Sequence, residues 1–95
     1  MTMHNPPHPG EFIRDVYLDP LKISYRTVAM KLKVSPSTFN RLVKGQSNIS
    51  SEMALRLSKT LGRSPESWLA MQSNYNLWIA RQNINLDNVE KLAIA

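Results

Sequence analysis

The chain has no cysteine, only three glycines (Gly10, Gly45 and Gly62), and no apolar run approaching the length of a membrane span. Each absence removes a class of function. Without cysteine there is no disulfide framework and no thiolate metal site, and nothing argues for secretion. Three scattered glycines cannot build a loop that cradles phosphates. The short apolar runs exclude a membrane-spanning helix, and the N-terminus lacks the apolar core of a signal peptide. The expected location is cytoplasmic. Catalysis finds no footing either, because the seven carboxylates are scattered with no close pair placed in an evident pocket. The two histidines, His4 and His8, lie in a proline-rich stretch that denies them a helix and a third metal ligand. No enzyme activity, no metal site and no cofactor are expected.

Acidic charge is absent from the middle of the chain. Between Pro20 and Ser51 there is no Asp or Glu, while Lys22, Arg26, Lys31, Lys33, Arg41 and Lys44 all fall there. These are six of the twelve basic residues, and the remainder of the chain holds six basic and seven acidic groups. The net charge of +5 is therefore concentrated in one window. A merely solvated surface mixes signs, whereas a one-sign window is the electrostatic footprint of a polyanion. Ninety-five residues, 42% of them hydrophobic, suffice for one globular domain with a modest core.

The window contains the most informative stretch, Ser24 to Gly45. Ser24 is a good N-cap, and Val28, Ala29 and Leu32 give the following helix one apolar stripe. Lys33, Val34 and Ser35 form a turn. Ser35 then Pro36 is a cap followed by proline at the first helical position, where its missing N–H does no harm. Phe39, Leu42 and Val43 make the inward stripe of this second helix, and Gly45 supplies a left-handed stop. Helices this short are marginal alone. Ala29 lets the two cross closely and Val34 plugs the gap between them, as a helix-turn-helix requires. The outward face of the second helix carries Ser37, Thr38, Asn40, Arg41 and Lys44, donors and acceptors sized for base edges and phosphates.

The flanks read as support for this motif. Residues 1–9 form a proline-rich arm, residues 10–82 the domain and residues 83–95 a C-terminal tail. A first helix is expected from Gly10 to Leu18, with Phe12, Ile13, Val16 and Tyr17 inward and Asp19-Pro20 ending it. Ile49 ties down a polar connector. Ser50 caps a fourth helix with Met53, Ala54, Leu57 and Leu61 inward and Gly62 at its close. Arg56, Lys59 and Arg63 are read there as solvated cations that suit the helix dipole. Ser64-Pro65 opens a fifth helix, Glu66 to about Gln82. It places Trp68, Met71, Tyr75, Trp78 and Ile79 on one face and Leu69, Leu77 and Ala80 on much of the other. Two apolar sides need two surfaces to bury against. Either a second copy of the chain covers the first set as a dimer interface, or the tail folds back with Leu86, Val89, Leu92 and Ile94.

The segments HPGEFIRDVYLDPLKIS, AMKLKVSPSTFNRLVKGQSNIS and MALRLSKTLGRSPESWLAMQ, with Tyr75-Asn76-Leu77 after them, resemble the HigA-type antitoxins of the XRE group of helix-turn-helix proteins, related to phage repressors. The likeness runs over roughly residues 8–80 and includes the unusual SPESWL-x-x-Q piece. It implies an all-α, five-helix, lambda-repressor-like bundle that acts as a homodimer on palindromic operator DNA. It also implies an RNase-type toxin as partner and repression of its own operon. Carried onto matching positions, the family's usage makes Ser35, Ser37, Thr38, Asn40 and Arg41 the major-groove candidates and Lys44, Gln46 and Ser47 the phosphate candidates. Two positions depart from the family. Lys33 replaces a glycine at a site that often takes positive φ, costing roughly 1 kcal/mol, though its charge suits a phosphate. Tyr25 replaces a glutamine and donates to phosphate less well than an amide. Two alternatives stay open: a module that works mainly by occluding a toxin, and an orphan regulator of the same group with no toxin.

Overall fold

Local capping signals set the helix starts. Ser24, Ser35, Ser50 and Ser64 are all extended, and each side chain accepts the backbone N–H three residues on, at 3.2, 3.1, 3.1 and 3.0 Å. The computed structural model describes residues 5–94, where five helices and no strand are found. Helix α1 runs without a break through Pro9–Ile13, a π-helical turn at Arg14–Leu18, and Asp19–Leu21. Then come α2 (Tyr25–Leu32), α3 (Pro36–Val43), α4 (Ser51–Leu61) and α5 (Pro65–Asn83). This is the all-α, five-helix arrangement expected. Among the described residues, no helix is long and apolar enough to cross a membrane.

The expected end of α1 at Asp19-Pro20 is not observed. Proline in a helix lacks an N–H and its ring crowds the carbonyl four residues back. The π turn ahead of Pro20, where Asp19 N–H reaches the Arg14 carbonyl, widens the helix and accommodates both defects. The inserted residue also shifts the register of the inward face. Ile13 is fully buried and Leu18 nearly so, while Val16, expected inside, is 44% exposed. The helix stops instead at Lys22, which is left-handed (φ 54°), and Ile23 N–H bonds back to the Leu18 carbonyl at 2.9 Å. The same close recurs at Lys33 (φ 62°), with Val34 N–H on the Ala29 carbonyl at 3.1 Å, and at Gly45 (φ 76°), with Gln46 N–H on the Arg41 carbonyl at 2.8 Å. These are three Schellman closes, two of them carrying a lysine at a cost of about 1 kcal/mol each.

Ala29 is fully buried, and the partly buried Val34 packs against the core. Around this pair Ile13, Leu32, Phe39, Leu42, Ala54, Leu57 and Trp68 form the core. Burial of side chains of this size contributes about 1.5–3 kcal/mol each, and that is what holds helices of eight residues in place. Arg56, read from the sequence as a solvated cation, has a structural role instead. Its Nη1 donates to the Leu32 carbonyl at 2.7 Å, satisfying the end of α2, while Glu52 holds its guanidinium at 2.9 Å. Arg63 likewise lies over the rings of Phe12 and Trp68, at 5.1 and 6.0 Å.

The two-sidedness of α5 divides along the helix rather than around it. Trp68, placed by spacing on the dimer face, is fully buried in the domain's own core and donates from Nε1 to the Gly62 carbonyl at 2.9 Å. It is therefore not available to a partner. Met71 and Leu69 pack partly against the same core. Only toward the C-terminal half are Tyr75, Trp78 and Ile79 half-exposed and Leu77 exposed. The tail does not fold back over them: every described residue from Ile84 to Ile94 is exposed. Two residues of the stretch read as an arm are part of the packed domain. His8 and Pro9 are buried, and His4 lies outside the described residues.

Candidate nucleic-acid interface

Helix α3 is amphipathic by its spacing. Phe39, Leu42 and Val43 point inward and are buried, leaving Ser37, Arg41 and Lys44 exposed and Thr38 and Asn40 half-exposed on the outer face. Ser35, the N-cap, is engaged: its Oγ accepts Thr38 N–H at 3.1 Å, donates to Thr38 Oγ1 at 2.8 Å and lies 3.3 Å from Ser37 Oγ. The three hydroxyls form a cluster at the N-terminal end of α3, where the helix dipole is positive.

The cations of the window lie on α2, on α3 and on the turns that follow α1, α2 and α3. Lys22, Arg26, Lys31, Lys33, Arg41 and Lys44 are all exposed. The ion pairs among the described residues are Arg14 with Glu11 and Asp15, and Arg56 with Glu52. None involves a cation of the window. Their field is thus uncompensated locally, which draws in a polyanion and makes the attraction salt-dependent. Lys33 stands on the left-handed turn before α3. Tyr25 opens α2 with its ring partly packed against the core and the Arg26 guanidinium 5.7 Å from its centre.

The loop after α3 carries the remaining sequence candidates, exposed Gln46 and half-exposed Ser47, and is held from two sides by residues the sequence reading did not assign. From α5, the buried Gln72 accepts Ile49 N–H at 2.8 Å and donates to Asn48 and Asn76 at 3.1 Å each. From α1, His8-Pro9-Gly10 presses on the end of α3. A Cβ on Gly10 would overlap the carbonyl of Leu42, so only glycine lets the helices come this close. His8 caps α1, its Nδ1 accepting Gly10 N–H at 2.9 Å. Its ring sits edge-on to Tyr75 at 4.9 Å and in contact range of Gly45. Burial pushes the His8 pKa below its ordinary 6.5, against the facing Ser47 backbone and Glu11, which favour the charged form. Both signals were legible in principle. His8-Pro9 is a cap-then-proline step like Ser35-Pro36 and Ser64-Pro65, and Gln72 is a polar residue one turn from Trp68 on a buried stripe.

The arrangement has known counterparts. The family model described as helix-turn-helix matches residues 13–68, spanning α2, α3 and α4. The Escherichia coli uncharacterized HTH-type transcriptional regulator YddM is 36% identical over 97% of each chain. The structure of the Pseudomonas aeruginosa antitoxin HigA with the higBA promoter superposes with a TM-score of 0.77, at 42% identity, over 81% of this chain and 84% of that one. That of antitoxin GraA in complex with its operator superposes with a TM-score of 0.88, at 31% identity, over 99% of this chain and 98% of that one. The family so defined is one of DNA-binding regulators rather than of enzymes. The chain belongs to the XRE-type helix-turn-helix family, among relatives that include the HigA-type antitoxins.

Proposed function

We propose that the protein is a sequence-specific DNA-binding repressor that works as the antitoxin of a toxin–antitoxin pair, binding the operator of its own operon as a homodimer. The observation that carries this reading is α3. It presents Ser37, Thr38, Asn40 and Arg41 outward on a capped helix, in a stretch whose exposed cations have no carboxylate partner among the described residues. In this reading Arg41 and Asn40 pair with base edges, as Arg does with guanine and Asn with adenine. Ser37 and Thr38 add shorter contacts, and Ser35 fixes the helix start beside the DNA. Lys44, Gln46, Ser47, Tyr25 and Lys33 hold the phosphates that set register. Relatives solved on promoter and operator DNA support it.

Dimerisation is assigned to the C-terminal half of α5, through Tyr75, Trp78 and Ile79 with the half-buried Met71 at its edge. Helix spacing supports it, as does the tail's failure to cover these side chains. An RNase-type toxin is the second protein partner. The exposed Leu86, Val89, Leu92 and Ile94 of the tail favour a further protein contact beyond DNA. Such a repressor acts in the cytoplasm. A reporter gene placed behind the DNA upstream of the chain's own gene tests the function. Supplying the protein lowers expression, and supplying Arg41→Ala does not. Equal expression with and without the wild-type protein contradicts the repressor reading. RNA cleavage by the protein of the neighbouring gene, unchanged on adding this chain, contradicts the antitoxin reading alone.

A further inference from the structure

We propose that His8 is a positioning residue for DNA binding: its ring seats the loop Lys44–Ser47 at the end of α3 against α1 and α5. The proposal rests on the reading that this loop contacts phosphate. His8 is only 7% exposed although it precedes the first helix, and it touches three elements at once. Nδ1 caps α1 through Gly10 N–H. The ring lies edge-on to Tyr75 of α5. A Cβ on Gly45 would stand 3.6 Å from His8 Cγ, so the ring fills the space beside the left-handed residue that turns the chain out of α3. Beside it a cavity of about 350 Å³ is lined by Arg14, Glu11, Lys44 and Trp78.

The capping bond fixes the chemistry. Nδ1 accepts a proton bond from an N–H, so it must be unprotonated, and the ring's own hydrogen is on Nε2. Nε2 is buried with no partner in hydrogen-bond geometry among the described residues, while the Ser47 backbone faces the ring. Protonation would put a donor where α1 needs an acceptor and a positive charge at the N-terminal end of its dipole. Of the charged groups facing the ring, Glu11 on α1 favours the proton, and Arg14 and the loop's Lys44 are cations; α5 presents only Tyr75 and Trp78. The unfolded chain takes up this proton near pH 6.5, the folded chain only at lower pH. Stability held by the neutral ring is therefore complete above about pH 6.5 and is lost as pH falls through the folded value. When it is lost, Lys44, Gln46 and Ser47 lose their backing together.

The test compares full-length wild type, His8→Asn, Lys44→Ala and Gln46→Ala on the upstream duplex, with nitrogen-15 spectra of the free proteins between pH 7.5 and 5. Asparagine keeps a capping oxygen but neither fills the ring's place nor titrates. Binding is read at a temperature where circular dichroism shows each variant folded. The expected result is that Lys44→Ala and His8→Asn both weaken binding, His8→Asn by about tenfold, the equivalent of one or two lost hydrogen bonds. The amides of Gly45, Gln46 and Ser47 shift with the His8 midpoint in wild type and stay still in His8→Asn. Weaker binding by Lys44→Ala, with His8→Asn binding as wild type and those amides indifferent to His8, overturns the proposal. Undiminished binding by both Lys44→Ala and Gln46→Ala overturns the phosphate role of the loop first, and the positioning role with it.

Discussion

Gly10→Ala should unseat α1 from the end of α3 more severely than the addition of one methyl group suggests. The added Cβ would fall on the Leu42 carbonyl, with the Val43 Cα 2.9 Å away. These are backbone atoms of a helix, so no rotamer change relieves the clash, and α1 must move as a body. Overpacking of this kind costs about 1–3 kcal/mol. The upper end applies here, since Ile13, on the next turn of α1, is fully buried and must move too. For a domain of this size each kcal/mol lowers the melting temperature by about 4–8 °C, so a fall on the order of 12–24 °C is expected by circular dichroism. Gly62→Ala is the comparison. Its Cβ meets nothing within 4 Å, but its φ of 96° is strained for alanine, so its loss is backbone strain alone, about 1–3 kcal/mol. A Gly10→Ala protein melting within two or so degrees of wild type would show that α1 and α3 do not approach as described.

Other side chains separate the roles assigned above. Arg41→Ala is expected to cost about 1–3 kcal/mol of operator affinity and to relax specificity at one base pair; equal losses on all duplexes would make it a phosphate contact. Lys44→Ala should weaken binding uniformly and reduce the salt slope by about one, read from titrations at several salt concentrations. Gln72→Leu leaves the buried Ile49 N–H unpaired, which costs about 1–3 kcal/mol; exchange of the Ile49 amide should quicken, and unchanged exchange would deny the bond. Trp78→Arg should yield monomers in sedimentation, and a wild-type profile would remove α5 as the dimer surface.

What could be read from the chain was what is local. The caps at Ser24, Ser35, Ser50 and Ser64 and the stop at Gly45 depend on a few neighbouring residues, and all are observed; the left-handed turn at Lys33, implied by the family resemblance, is observed too. The burial of Ala29 followed from its place on the apolar stripe of a short helix. What could not be read depends on contacts between elements distant in sequence. Pro20 stops a helix by its own chemistry, and only the π turn carries α1 past it. Trp68 shares a face with Tyr75 and Trp78 by spacing, but the core ends between them. Arg56 looks like any surface cation until the Leu32 carbonyl is beside it. His8 looked like part of an arm because its partners, Gly45 and Tyr75, lie far along the chain. The outer face of α3 was legible in its composition, since no core demand explains Ser, Thr, Asn and Arg in that order.

The central claim is that α3 and its cations bind one DNA sequence in preference to others. A gel-shift with the duplex upstream of the chain's own gene, run at two salt concentrations with non-specific competitor, tests it most directly. The account predicts a complex that resists competitor and weakens steeply with salt, with a slope of roughly −5 in log K against log salt if about six phosphates are contacted. Binding that competitor abolishes would contradict it and leave only a basic surface.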